Sequence, residues 1–387
     1  MIRKKNIGIM YAISFLQGMV FYSAIATLYR QAAGISVFQI TLMESISLAL
    51  SVLLELPWGI VAEKIGYKHT MVICCLLYFL SKVVFYEANG FGMFLLERIL
   101  LSIVIAGLSG VDESILYLSS EEAKVQSVFG IYSSIGTAGM LIAAGVYSLF
   151  LCGNYRLSAL LTAVVYGIAT ILCLFLDEVK EPEKEEKSSV IEFWQILKET
   201  IGRKELLCFL VSVALFSEMQ QTITVFLNQL QYVRCGMTDN AIGWAYVVMT
   251  VAGLTGAWSD KLTVRLGKRK TGVLLLGLGL VCCLFLAFST NAMVSVLAII
   301  CIRVAFSLMM PLVSLLENEQ VHHENRATAL SINAVMMDGV AIATNLIFGK
   351  LADESVSHAM IAGAVFCLVA VIGFSYSCKK FRQKSRL

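Results

Sequence analysis

Twelve stretches of the chain are continuously apolar: residues 7–29, 37–62, 70–87, 91–117, 126–151, 157–176, 205–230, 240–260, 271–289, 292–315, 328–349 and 357–377. Each is near the ~20 residues that a helix needs to cross a bilayer. None alternates apolar with polar positions, as the strands of a membrane barrel must. The pattern predicts an all-α membrane protein with 12 transmembrane helices. One long polar stretch, 177–204, lies between the sixth and seventh spans. It opens with a charge run from Asp177 to Lys187. Ser189-Val190-Ile191-Glu192 has the form of a capping box. Ile191, Trp194, Leu197 and Ile201 then follow at helical spacing, which predicts a short amphipathic helix on the membrane surface. The chain thus divides into an N-terminal six-helix bundle (1–176), a linker (177–204) and a C-terminal six-helix bundle (205–387).

Charge fixes an orientation. With both termini cytoplasmic, 23 of the 30 Lys and Arg residues fall in cytoplasmic segments. Four fall outside (Arg30, Arg156, Arg234, Lys350), and Lys82, Arg98 and Arg303 lie within spans. The positive-inside rule therefore predicts cytoplasmic termini and a cytoplasmic linker. The first apolar run is longer than the 7–15 residues of a signal-peptide core, so it is read as an uncleaved span.

Composition agrees. The chain is 58% hydrophobic and 15% charged, against about 25% charged in soluble domains, and its mean hydropathy is +0.80. These values exclude a soluble enzyme, a nucleic-acid binder and a disordered chain. Most of the 11 cysteines sit inside apolar runs without a C-x-x-C pair. They are read as small buried hydrophobes, with no metal and no cofactor.

The two halves repeat weakly. Gly59-Ile-Val-Ala-Glu63-Lys64 ends span 2, and Gly256-Ala-Trp-Ser-Asp260-Lys261 ends span 8. Arg98-Ile-Leu-Leu-Ser102 answers Arg303-Val-Ala-Phe-Ser307, Glu113 answers Glu317, and Cys74-Cys75 answers Cys282-Cys283. Similar offsets point to duplicated halves, as in transporters built from parallel repeats.

Gly59 to Lys68, with acid and base at Glu63 and Lys64 and glycine and base at Gly66 and Lys68, resembles the loop between spans 2 and 3 of the major facilitator superfamily. A second copy runs from Gly256 to Arg269 with four extra residues before Gly267. Glu55-Leu-Pro57-Trp-Gly59 and Arg326-Ala-Thr-Ala-Leu-Ser331 resemble a bacterial branch rich in drug and metabolite exporters. Span 5 carries Gly130, Gly136, Gly139 and Gly145 but lacks the glycine-proline signature frequent in proton-antiport exporters. The resemblance implies the two-bundle major facilitator fold, with spans 1, 4, 7 and 10 lining a central cavity. It also implies a latch at the cytoplasmic ends: Gly59, Glu63, Lys64, Gly66, Lys68, Asp112 and Glu113 in the first half, Gly256, Asp260, Lys261, Gly267, Arg269, Glu317 and Arg326 in the second. Glu63 would face the N-terminus of span 11, and Lys68 would pair with Asp112 or Glu113.

Charges at bilayer depth cost about 2.5–3.5 kcal/mol each on insertion scales, so each needs a partner or a job. Glu44 and Arg98 lie at matched depth, ~10 Å from the outer surface. Either Arg98 tunes Glu44 and binds an anionic substrate group, or the two form a static pair. Glu55, before Pro57, is read as structural. Lys82, five residues from Glu87, is read as snorkelling to the outer surface. Glu218 and Arg303 sit near mid-span on cavity-lining helices, with Gln17, Gln220 and Gln221 as nearby amides. This predicts a proton-loading carboxylate whose pKa Arg303 sets, with Asp338 competing for the same arginine.

Motifs of hydrolases and phosphate-binding loops are missing, and the four histidines fall at membrane edges. The expected function is therefore secondary transport of a small molecule: proton-coupled efflux of a drug or metabolite, with nutrient uptake as the alternative. A non-transporting receptor or assembly factor is the rival of another class. The expected partners are the substrate, protons and the lipid bilayer of the cell membrane, with the chain acting as a monomer and touching no nucleic acid.

Overall fold

In a computed structural model, residues 4–121, 124–179, 198, 202–320 and 326–384 are described. The amphipathic helix expected at 189–201 lies outside them. The described residues are almost entirely helical and contain no strand. Twelve helices are long and apolar enough to cross a membrane. They are Lys4–Ala32, Val37–Glu55, Tyr67–Glu87, Phe91–Ser119, Val125–Leu151, Tyr155–Cys173, Lys204–Arg234, Asp239–Leu266, Lys268–Phe288, Ala292–Gln320, Ala329–Glu354 and Val356–Phe381, here spans 1 to 12. Local sequence explains several ends. Ser36 and Gln39 form a capping box at the start of span 2, with bonds of 3.2 and 3.0 Å. Asn154 Oδ1 accepts from the Leu157 amide at 3.1 Å to begin span 6.

Two compact units form. The first holds residues 1–39, 46–185 and 238–247; the second holds 40–45, 186–237 and 248–387. In the first, span 1 packs on spans 5 and 6, and span 3 on spans 4 and 6. In the second, span 7 packs on spans 11 and 12, and span 9 on spans 10 and 12. The same scheme recurs six spans later, so the weak sequence repeat is a repeat of packing. Lipid gives helices little hydrophobic reason to associate, and close packing of small residues supplies it. A Cβ on Gly18 would come within 2.2 Å of the Gly136 carbonyl oxygen, and one on Gly139 within 2.2 Å of that of Phe15. Gly136 and Gly139 of span 5 are thus contact points for span 1, whereas a Cβ on Gly130 or Gly145 would meet nothing within 4 Å. In the second unit, Gly272 lies against Phe374, and Gly373 against Ser212.

Several spans are less regular than their hydropathy predicts, and two of these irregularities bear on the candidate residues. Span 4 breaks at Ser109-Gly110, where Gly110 has φ +77°, and resumes as a short helix from Val111. Span 7 passes through a π-helical stretch, Thr222–Leu227. Such stretches favour functional positions in helices.

Candidate transport site

The second unit gathers the membrane-interior acids. The Glu218 carboxyl is hydrogen-bonded by Asn345 of span 11, and the charges of Glu44 and Asp338 act on it. Asn345 is itself held: its Oδ1 accepts from Thr222 Oγ1 at 3.2 Å, and it is 2% exposed. Thr222 opens the π-helical stretch one turn after Glu218, so the local irregularity of span 7 places the hydroxyl that orients the amide. Gln220 donates to Thr224 at 2.6 Å within the same stretch.

This arrangement corrects one expectation. Arg303 is not among the groups acting on Glu218. Its guanidinium lies against span 8, so closely that a Cβ on Gly253 would come within 2.9 Å of Nε. Helical spacing could not show this, because the direction of a long side chain depends on which neighbour is small enough to receive it. Gln17 also goes elsewhere. In the first unit its amide donates to Cys75 Sγ at 3.6 Å, and its carbonyl accepts from Tyr166 at 2.6 Å.

Lys82 corrects a second expectation. It does not snorkel: it is 5% exposed inside the first unit. Its ammonium lies over the rings of Tyr78, Tyr166 and Tyr22, at 5.0, 5.2 and 5.8 Å from their centres. A desolvated ammonium on aromatic faces gains about 2 kcal/mol or more, which offsets part of its burial. Arg30, expected outside, is also buried. It pairs with Glu97 at 3.5 Å and covers Phe85 and Phe94 at 5.3 and 5.9 Å. Glu97 lies 3.7 Å from Arg98 Nε as well. Glu97 is one of the charges that the sequence places inside span 4, beside Arg98, whereas Arg30 is not marked as an interior charge by its position next to Tyr29.

At the other end of the first unit, the loop between spans 2 and 3 is organised by a residue the sequence reading did not single out. Glu178, just past span 6, accepts from the Lys68 amide at 3.2 Å and lies 3.3 Å from His69 Nδ1. A carboxylate there meets the free N–H groups and positive dipole end of span 3. Gly66 makes room for it: its φ is +90°, and a Cβ would come within 2.8 Å of Glu178 Oε2. Beside it, buried Asn6 donates to the Asp177 carbonyl and accepts from the Asp177 amide, both at 2.9 Å, tying span 1 to span 6.

The expected pairing of Lys68 with Asp112 or Glu113 is absent among the described residues. Asp112 instead accepts from Tyr132 at 3.3 Å and from the Glu113 amide at 2.9 Å. The break at Gly110 is the reason, since it puts both acids in the first turn of a new helix, where the dipole favours them. Lys64, Asp260, Lys261 and Arg269 are exposed. The side chains of Glu63 and Arg326 and the surroundings of Gly59 are not described, although all three positions are helical. Gly256 is a packing contact, with a Cβ there meeting the Ser307 carbonyl oxygen at 2.9 Å. Glu317 Oε1 is buried with no hydrogen-bond partner among the described residues.

The sequence model of the major facilitator superfamily matches residues 7–344. The chain belongs to the major facilitator superfamily. Solved transporters share its fold. A variant of the nucleoside transporter NupG aligns at TM-score 0.83 and 17% identity over 96% of this chain and 99% of that one. A D-xylose-proton symporter aligns at 0.75 and 12%, over 96% of each chain. A POT family transporter in complex with 5-aminolevulinic acid aligns at 0.73 and 14%, also over 96% of each. No curated protein matches the sequence. The superfamily and the fold make this chain a multi-pass membrane transporter rather than an enzyme, and they imply a small-molecule substrate.

Proposed function

We propose that this superfamily member is a secondary active transporter of the cell membrane, working as a monomer by alternating access and coupling export of a small molecule to protons. One observation carries the reading: within a single unit the charges of Glu44 and Asp338 act on Glu218, and the buried amide of Asn345 hydrogen-bonds its carboxyl. Three carboxylates at membrane depth repel each other as well as losing hydration. A proton on Glu218 relieves both costs. Glu218 is the loading residue, Asn345 fixes its orientation, and Arg303 is the substrate-facing cation of the same unit. The energy suffices: one charge crossing ~100 mV is worth about 2.3 kcal/mol, a gradient of roughly 50-fold.

Both termini and the linker face the cytoplasm in this reading. Cysteines introduced at Lys187 and Asn154, in a background without native cysteines, test it. An impermeant reagent outside intact cells should label position 154 and miss 187. The latch residues act where spans 2 to 4 and 8 to 11 end, with Glu178 added as the anchor of the first loop. Gly59→Leu or Glu63→Gln should impair turnover while the protein still inserts, and full turnover in both would remove the latch.

A second direction, uptake, is favoured by one observation: the solved structures sharing the fold include a D-xylose-proton symporter. A flux screen in proteoliposomes, with and without a pH gradient, against lipophilic drugs, sugars, nucleosides and amino acids decides between them. Accumulation with the proton gradient means uptake, and extrusion against it means export. Flux of no solute under any gradient would favour the receptor or assembly-factor class.

A further inference from the structure

The second unit contains a cavity of about 1190 Å³ where spans 8, 9, 10 and 12 end. Its floor is the start of span 9, Gly267 followed by Lys268, Arg269 and Lys270, and Phe381 of span 12 forms part of its wall. All three cations are exposed. Lys268 is paired with Glu319. Arg269 and Lys270 have no ionic partner among the described residues. Lys379 and Lys380, both exposed, follow the wall residue Cys378.

The first unit shows what this position accepts. There, the start of span 3 after Gly66 is covered by the carboxylate of Glu178, at the end of the sixth helix of the bundle. The second unit repeats the turn, with Gly267 at φ +83°. Toward the end of its sixth helix, however, it carries Lys379-Lys380, whereas the first unit has Asp177-Glu178 just past the end of its own. The chain supplies cations and an open cavity where the other copy supplies an anion. A Cβ on Gly267 would meet nothing within 4 Å.

The remaining surface points to the source of that anion. Leu274 lines the cavity and is 53% exposed. Val281, Phe285 and Phe288 continue from it on the same face of span 9, all exposed. An apolar track therefore runs from a cationic cavity at the helix ends along a membrane-spanning helix. A free phosphate would use only the cations, whereas a phospholipid uses both features. We propose that this cavity binds the phosphate-bearing headgroup of an anionic phospholipid, with an acyl chain along the exposed face of span 9. The orientation proposed above enters only in assigning the lipid to the cytoplasmic leaflet, and binding in nanodiscs does not depend on it.

Native mass spectrometry of the full chain released from nanodiscs of phosphatidylcholine and phosphatidylglycerol tests the site. The wild type should retain phosphatidylglycerol in preference to phosphatidylcholine. Arg269→Gln with Lys270→Gln should weaken that retention about fivefold per residue. A control pair, Lys64→Gln with Lys204→Gln, should leave it unchanged. Melting in pure phosphatidylcholine reports whether the variants fold. If the double variant does not, Ser375→Trp fills the cavity without altering charge and should also expel the lipid. The proposal is overturned if the wild type shows no preference, if the control pair loses lipid equally, if the cavity-filled variant keeps it, or if inorganic phosphate alone displaces the lipid.

Discussion

The two units treat interior charge in opposite ways. In the first, Arg30 and Arg98 flank Glu97, and Lys82 rests on three tyrosine rings. Cations, carboxylate and aromatic faces are matched, and the cluster holds the bundle together. In the second, carboxylates gather around one amide, with Glu44 and Asp338 acting on Glu218. The first arrangement satisfies its charges with fixed partners. The second sets like charges near one another instead. The two units share one packing scheme, and their interior charges differ.

Breaking the matched cluster should have the largest effect on stability. Glu97→Gln leaves buried cations without their carboxylate, and losing one partner of a buried pair costs about 3–5 kcal/mol. The protein should lose most of its folded yield by size-exclusion chromatography in detergent. Lys82→Met should be milder, because a thioether can keep the contact with the tyrosines.

The carboxylate group should behave in reverse. Glu218→Gln should keep folded yield near wild type and abolish proton-driven accumulation or extrusion, while substrate exchange without a gradient persists. If pH-driven flux survives, the coupling role passes to Asp338 or Glu44, and their amide variants decide between them. Asn345→Ala, which removes the amide without touching a charge, should reduce coupling less than Glu218→Gln does.

The two glycine turns sharpen the comparison at smaller magnitude. Gly66→Ala meets both a positive φ and the Glu178 carboxylate, whereas Gly267→Ala meets only the φ. At both glycines a positive φ is joined to an extended ψ, +155° at Gly66 and +148° at Gly267, a conformation that costs a residue with a Cβ about 1–3 kcal/mol. Gly66→Ala should therefore lower the melting temperature more than Gly267→Ala, and Glu178→Gln should narrow the gap. Arg303→Lys should give the smallest change, a slight fall in melting temperature without loss of activity. Lysine keeps the charge but not the planar fork that lies on Gly253.

Much of this was legible in residue order. Twelve apolar runs, the duplicated Gly-x-x-x-acid-base pattern and the mid-span acids Glu218 and Asp338 are all visible without coordinates. Hydropathy works because lipid leaves the backbone no partner but its own helix. What hydropathy could not reveal was the company each charge keeps. Lys82 near a helix end reads as a snorkelling lysine until Tyr22 and Tyr166 arrive from spans 1 and 6. Glu178 reads as the edge of a linker until Gly66, more than a hundred residues earlier, turns span 3 toward it. Gly110 hides a helix break inside an apolar run, because a break that is satisfied within the protein leaves hydropathy unchanged.

The sequence by itself determined the class of protein, the number of spans and the repeat, because each follows from periodicity and from the cost of unpaired backbone in lipid. Only the tertiary structure decided that Glu218 meets Asn345 rather than Arg303, and that Asp112 meets Tyr132 rather than Lys68. Those choices depend on which small residue lets which helices approach, and that is a property of pairs of spans distant in the chain.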